Sequence, residues 1–200
     1  MANKFPLQKS HPWHGISPGE KCPDEVTCFI EIVPGDTIKY EVDKQSGYLK
    51  IDRPQLYSNV APLLYGFIPQ TYCGAAIAKL AGVEKGDRDP LDIVVLTEHV
   101  VPHGDIILKA IPIGGLRMID KGEADDKIVA VLVNDAVYGN LTELSQVPHK
   151  VLNRLKHYFM TYKLSPETGS TPVQIAAEYG RSVAQSVILA SLSDYKSLEK

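Results

Sequence analysis

Cysteine is scarce in this chain of 200 residues: Cys22, Cys28 and Cys73 are odd in number and show no Cys-x-x-Cys spacing. That excludes a disulfide framework and a structural zinc site, and reads as reduced thiols. Long apolar runs are also missing. None approaches the roughly 20 residues needed to span a bilayer, and Met1 to Trp13 lacks the basic, apolar and small-residue order of a signal peptide. A cytoplasmic protein with no membrane partner is the expectation. Neither sign of charge is in large excess, with 21 Lys and Arg against 24 Asp and Glu. No overall field therefore selects nucleic acid or an anionic surface, and a partner must be recognised locally. There is no internal repeat, no low-complexity tract and no G-x-x-x-x-G-K-[ST] phosphate loop.

What is present begins with strands. From Val26 onward the chain alternates through Phe29 and Glu31, then Ile38 to Val42, then Tyr48 to Ile51, with Lys44 to Gly47 as a turn. This reads as a β-meander. Asp92 to Thr97, Ile106 to Pro112, Gly115 to Ile119 and Lys127 to Val133 are further strand candidates, rich in Val, Ile and Leu. Five or more short strands suggest a small barrel. Helical spacing enters after Pro148, where Val151, Leu155, Tyr158, Phe159 and Tyr162 share a face. It returns from about Arg181 with Val183, Ala184, Val187, Ile188, Leu192 and Tyr195, after a possible strand at Val173 to Tyr179. The class is mainly β (α+β), closed by two helices, in one domain over residues 1–200. Residues 1–22 read as an irregular arm in which His11 and His14 are surface polar groups rather than metal ligands.

The chemistry concentrates in Asp87, Arg88, Asp89, Pro90, Leu91 and Asp92. On a regular strand Asp87 and Asp89 share a side and Asp92 faces away. Pro90 breaks that regularity, so a bend can bring all three carboxylates to one cleft. Gathered carboxylates repel one another unless cations neutralise them. An all-oxygen set without Cys or His suits Mg²⁺, Mn²⁺ or Ca²⁺. A solvated turn is the bland alternative. A calcium EF-hand is excluded, because Leu91 stands where a ligand is needed and Asp92 where Gly is needed. A second acidic group, Asp120, Glu123, Asp125 and Asp126, would pass for a hairpin turn by itself. So would Lys39 and Glu41 for a solvated ladder pair, Lys163 for a helix C-terminal cation and Tyr162 for core. Their company with Arg53, Tyr65 and Lys127 is the mixture that metal and phosphate binding need.

These residues resemble the soluble inorganic pyrophosphatases of the small, magnesium-dependent family (family I), whose signature is D, a small or polar residue, D, P, apolar, D, apolar. The likeness continues in order through Ile30 to Ile32, Ile38 to Lys44, Asp52-Arg53, Tyr65-Gly66, Arg117 to Asp120, Asp125 with Lys127, and His157 to Lys163. It implies an OB-like five-stranded closed barrel with two helices packed against it, and hydrolysis of pyrophosphate to two phosphates by a metal-activated water. Carried across, it makes Asp87, Asp92, Asp120 and Asp125 metal ligands and Asp89 the proton acceptor. Glu31 and Glu41 would support the metals through waters, Glu31 grouped with the metal set and Glu41 with the catalytic Asp89. Lys39, Arg53, Tyr65, Lys127, Tyr162 and Lys163 would hold phosphates. The cofactor implied is Mg²⁺, several per site, with Mn²⁺ as a substitute.

Three departures stand out. Arg88 replaces the usual small or polar residue and is expected to point to solvent. Ala61 and Leu64 stand where compact bacterial members usually carry Tyr and Asn. The segment 73–85, read as an insertion loop, and the arm before Cys22 are longer than the compact pattern and would cover the cleft or a subunit contact. A homo-oligomer is expected, a hexamer by the resemblance, although Thr161 replaces a second His on the helix that carries His157. The competing readings are a phosphate-ester or nucleotide hydrolase on the same metal site, and an OB-fold nucleic-acid binder. The latter needs basic and aromatic faces that this net acidic chain does not offer.

Overall fold

Val26–Ile32 is the first strand (β1), followed by Ile38–Val42 (β2), Leu49–Pro54 (β3) and Leu64–Phe67 (β4). A short helix, Ala75–Ala81 (α1), leads through Lys85–Gly86 (β5) to Asp92–Leu96 (β6). Then come Ile106–Asp120 (β7), Glu123–Ala124 (β8), Lys127–Leu132 (β9), His149–Thr161 (α2), Val173–Gly180 (β10) and Arg181–Leu198 (α3). This computed structural model describes residues 9–198, so residues 1–8 of the expected arm lie outside the described residues.

Five strands close on themselves: β1 pairs with β4, β4 with β6, β6 with β9, β9 with β7, and β7 with β1. Only the β6–β9 pair in this ring is parallel. The ring is the closed five-stranded arrangement expected, but its membership differs from the sequence reading. The expected meander does not form, because β1 is paired on both edges with β4 and β7, and β2 and β3 make a separate two-stranded sheet. The fifth ring strand is instead β4. The two candidates Ile106 to Pro112 and Gly115 to Ile119 are one 15-residue strand, with a register shift at Pro112 and Gly114 absorbing the apparent break.

In β6, Ile93 and Val95 join one apolar cluster while Val94 and Leu96 join a second. Strand β9 splits the same way, with Ile128 and Ala130 against Val129 and Val131. Burial on both faces is why these strands read as continuous apolar runs without alternation. The first cluster is backed by Ile77 of α1 and by Ala184, Val187 and Ile188 of α3; the second by Leu152, Leu155 and Phe159 of α2. Among the described residues, three α-helices therefore flank the sheet, where two were expected. The third, α1, lies inside the segment read as an insertion loop. On α3, Val183 is exposed, and buried Ser191 takes a place on the inner face by donating its hydroxyl to the Ile188 carbonyl at 2.8 Å.

Candidate active site

One end of the ring opens into a cleft of about 540 Å³. Every residue expected at the site lines it: Glu31 from β1, Lys39 and Glu41 from β2, Arg53 from β3, Tyr65 from β4, Asp92 from β6 and Asp120 from β7 join Asp87, Asp89, Asp125, Lys127, Tyr162 and Lys163. The hairpin β2–β3 forms one wall, and the C-terminal end of α2 delivers Tyr162 and Lys163 to another. Asp120 and Glu123 face each other across a two-residue turn in which Lys121 (φ 51°) and Gly122 (φ 85°) are both left-handed, as a tight hairpin turn requires.

The bend at Asp87 to Asp92 is fixed by its neighbours. The Asp89 N–H donates to Asp87 Oδ1 at 3.0 Å, and the Arg88 N–H donates to the Cys73 carbonyl at 3.1 Å. The Cys73 N–H donates to the Asp89 carbonyl at 2.8 Å, and the Leu91 N–H to Thr71 Oγ1 at 2.9 Å. Gly86 permits this approach, since a Cβ there would lie 2.1 Å from the Cys73 carbonyl oxygen. Thus the start of the supposed insertion braces the acidic loop.

At the floor, Lys127, 2% exposed, ion-pairs with both Asp92 and Asp125. The Tyr65 hydroxyl donates to Asp92 Oδ2 at 2.6 Å. Burial works against the Lys127 ammonium, but Asp125 and Asp92 outweigh it and hold its pKa well above the usual lysine range. One ammonium does not balance the carboxylates around it: burial, reinforced by Asp125, pushes the Asp87 carboxyl up, and burial does the same for Asp125. Burial also pushes Glu31 up to about 8, against the hydrogen bond it accepts from the Val42 N–H. At the rim, Lys39 Nζ lies 2.8 Å from Asp52 and 3.1 Å from Glu41. Lys163 ion-pairs with Asp120.

Among the described residues, two buried atoms of the cleft have no hydrogen-bond partner: Asp120 Oδ1, an acceptor, and Arg53 Nη2, a donor. An unmet buried group costs about 1–3 kcal/mol, so each calls for a partner from outside the chain. An oxygen-only acidic set with an orphan carboxylate oxygen fits a hard divalent cation, whose charge would let the raised carboxyls ionise together. An orphan guanidinium nitrogen among lysines fits a phosphate oxygen.

Residues that the sequence reading gave no role also line the cleft. Lys44 ion-pairs with Asp89, and Asp52 holds Lys39. Both stand inside runs that carried the resemblance, which was the signal available. Trp13 had none: its ring is buried against Val42 and Phe67, and its Nε1 donates to the Thr71 carbonyl at 2.8 Å. The described part of the arm thus covers the cleft wall. His11 and His14 serve that docking. The Trp13 N–H donates to His11 Nδ1 at 3.2 Å, and His14 stacks on the Trp13 ring. Ala61 and Leu64 are packed in the apolar clusters and put nothing polar in the cleft.

Arg88 is exposed, as expected, and its guanidinium makes no ion pair among the described residues, while its φ of 67° is left-handed. That conformation costs a side-chain-bearing residue about 1–2 kcal/mol, partly offset in glycine by the freer unfolded chain. Arg88→Gly is therefore expected to raise stability by up to about 1 kcal/mol in denaturant unfolding. Its magnesium dependence should match the unmodified protein; a shift there would give Arg88 a role at the site.

Comparison with known proteins agrees with this geometry. A family model described as inorganic pyrophosphatase matches residues 28–196. The chain is 46% identical over 206 aligned residues to an inorganic pyrophosphatase of Chlamydia trachomatis serovar L2, covering 98% of this chain and 99% of that protein. It is 39% identical to soluble inorganic pyrophosphatase 2 of Chlamydomonas reinhardtii, covering 94% of this chain and 89% of that one. The crystal structure of the Thermus thermophilus inorganic pyrophosphatase superposes with a TM-score of 0.80 at 28% identity, over 94% of this chain and 99% of that one. A likeness that runs the length of the sequence, with a ring of strands to match, admits one assignment: this chain belongs to the inorganic pyrophosphatase family.

Proposed function

We propose that the protein hydrolyses inorganic pyrophosphate to two phosphates in this cleft, as a single catalytic domain, with Mg²⁺ as the working metal and Mn²⁺ as a substitute. The observation that carries the reading is the gathering of carboxylates, cations and phenols in one cleft, with one buried carboxylate oxygen and one buried guanidinium nitrogen that have no partner among the described residues. Asp87, Asp92, Asp120 and Asp125 would hold the metals, with Glu31 and Glu41 supporting them through waters. Bound divalent cations supply charge neutralisation and a water that is acidic enough to react near neutral pH.

The chain's own groups do the rest. Asp89, held in the bend beside Asp87, accepts the proton of the attacking water. Lys39, Arg53 and Lys163 bind phosphate oxygens with charge-assisted hydrogen bonds, and Tyr65 and Tyr162 donate their hydroxyls. Lys127 and Arg53 oppose the charge that develops on the departing phosphate. Asp52 and Glu41 hold the Lys39 ammonium in place: burial works against its charged form, but these two carboxylates outweigh that and keep its pKa above the usual lysine range.

No helix among the described residues is long and apolar enough to cross a membrane. A cytoplasmic homo-oligomer, hexameric by the family resemblance, is the assembly we infer. The reading is tested by phosphate release from pyrophosphate, ATP and a phosphomonoester, each with and without Mg²⁺. Release from pyrophosphate alone, and only with the metal, is the expected result. Comparable release from ATP or the monoester would favour the broader phosphate-ester or nucleotide hydrolase.

A further inference from the structure

Behind the cleft, a second charged cluster, built on the buried Asp126 with half-buried Arg117 and Tyr179, lies on the opposite face of the segment that supplies Asp125. Consecutive residues of an extended chain face opposite sides, so Asp126 turns away from the cleft and is 1% exposed. Its carboxylate accepts from Arg117 Nε at 3.4 Å, from Arg117 Nη2 at 3.3 Å and from the Tyr179 hydroxyl at 3.1 Å. The Arg117 guanidinium lies 5.5 Å from the Tyr179 ring centroid, and its Nη1 donates to the Leu80 carbonyl at 2.6 Å, in the last turn of α1. Arg117 belongs to β7 and Tyr179 to β10, so two strands meet on one carboxylate, and α1 joins them through the Arg117 guanidinium. None of these residues lines the cleft.

The two ends of this cluster lead to two site carboxylates. Asp126 is bonded directly to Asp125. Leu80 sits near the end of α1, from which the chain passes through β5 straight to Asp87. Strand β5 pairs with β8, and the Asp87 N–H donates to the Ala124 carbonyl at 3.2 Å, one residue before Asp125. Asp87 and Asp125 therefore hang from segments that Arg117 ties together. A buried ion pair adds little net stability over a well-packed apolar pair, and what it supplies is direction. Groups behind metal ligands fix ligand orientation in the same way, and their loss typically weakens metal binding about 10–100-fold.

We propose that Arg117, Asp126 and Tyr179 are positioning residues that set the placement of Asp87 against Asp125 and thereby the affinity of the site for divalent cations. The proposal rests on the reading of those carboxylates as metal ligands.

The test is calorimetric titration of the metal-stripped protein with Mg²⁺, without substrate, for wild type, Asp126→Asn and Tyr179→Phe. Asp126→Asn keeps the size of the side chain and one acceptor oxygen but loses its charge. Its Kd for Mg²⁺ is expected to rise about tenfold, with kcat at saturating Mg²⁺ staying near wild type. Tyr179→Phe, which removes one hydroxyl, should move Kd the same way by less. A purely structural role would lower Tm and leave Kd alone, so a Kd within twofold of wild type in both variants overturns the proposal. If Asp126→Asn does not fold, Tyr179→Phe decides: a rise above twofold supports positioning, and no rise refutes it. Wild-type protein that takes up no Mg²⁺ would instead refute the ligand reading beneath the proposal.

Discussion

Replacing Asp89 with Asn is expected to lower kcat by about two to four orders of magnitude while pyrophosphate still binds. The change is nearly isosteric, and the contacts that shape the bend at this residue are made by backbone groups: the Asp89 N–H to Asp87 Oδ1 and the Asp89 carbonyl from the Cys73 N–H. Only the Asp89 side chain changes, losing its ion pair with Lys44 and its capacity to take a proton. The lost charge is at an exposed pair and costs little stability. Binding can be followed without turnover, because Trp13, the one tryptophan of the chain, lines the cleft. Steady-state kinetics beside Trp13 emission separate the two effects. Near-normal kcat in the variant would remove Asp89 from the role of base.

A larger effect on the folded state is expected from Lys127→Gln. The Lys127 side chain is 2% exposed and is ion-paired with Asp92 and Asp125, whose side chains are 19% and 9% exposed. Removing one partner of a buried ion pair strands the other charge, at about 3–5 kcal/mol. Metal-stripped Lys127→Gln should therefore unfold far more readily than metal-stripped wild type in urea. Added Mg²⁺ should recover more stability in the variant than in wild type, since a cation binding the folded state compensates the same carboxylates. Activity should stay low even at saturating Mg²⁺, because the phosphate loses a cation. Equal stabilities without metal would mean that Lys127 is not what balances Asp92 and Asp125.

The lining of the cleft and the fold class were legible in the sequence, but the order in which the strands pair was not. Asp87, Asp89 and Asp92 lie within six residues and carry their chemistry locally, so spacing and Pro90 suffice to flag them. Lys39, Glu41, Arg53, Tyr65 and Lys163 are individually bland and became legible only as an ordered series. Strands β6 and β9 announce themselves because both faces are buried. By contrast, β4 has four residues, Leu64 to Phe67, one of them glycine, too few for periodicity to register. Helix α1 is mostly alanine, which propagates helix well but marks no apolar stripe. In β7, Pro112 and the Gly114-Gly115 pair signal a break that a register shift absorbs. The meander misled because sequence neighbours were assumed to pair, whereas β1 finds both partners far along the chain. Trp13 was invisible for a related reason: its contacts with Thr71, Phe67 and Tyr195 are long-range, and nothing local encodes them.

Arg117, Asp126 and Tyr179 illustrate the same limit. Asp126 reads as one more acid in a turn beside Asp125, yet the alternation of an extended chain puts the two on opposite faces with opposite surroundings. The one faces a polar cleft, the other a half-buried arginine.

The most direct measurement is a crystal structure of the protein with Mg²⁺ and a non-hydrolysable pyrophosphate analogue. Cations ligated by Asp87, Asp92, Asp120 and Asp125, a water within hydrogen-bonding reach of Asp89, and Arg53, Lys127, Tyr162 and Lys163 on the phosphates are the expected result. Cations bound elsewhere, with Lys127 still seated between Asp92 and Asp125 and Asp89 remote from any water facing the analogue, would contradict it.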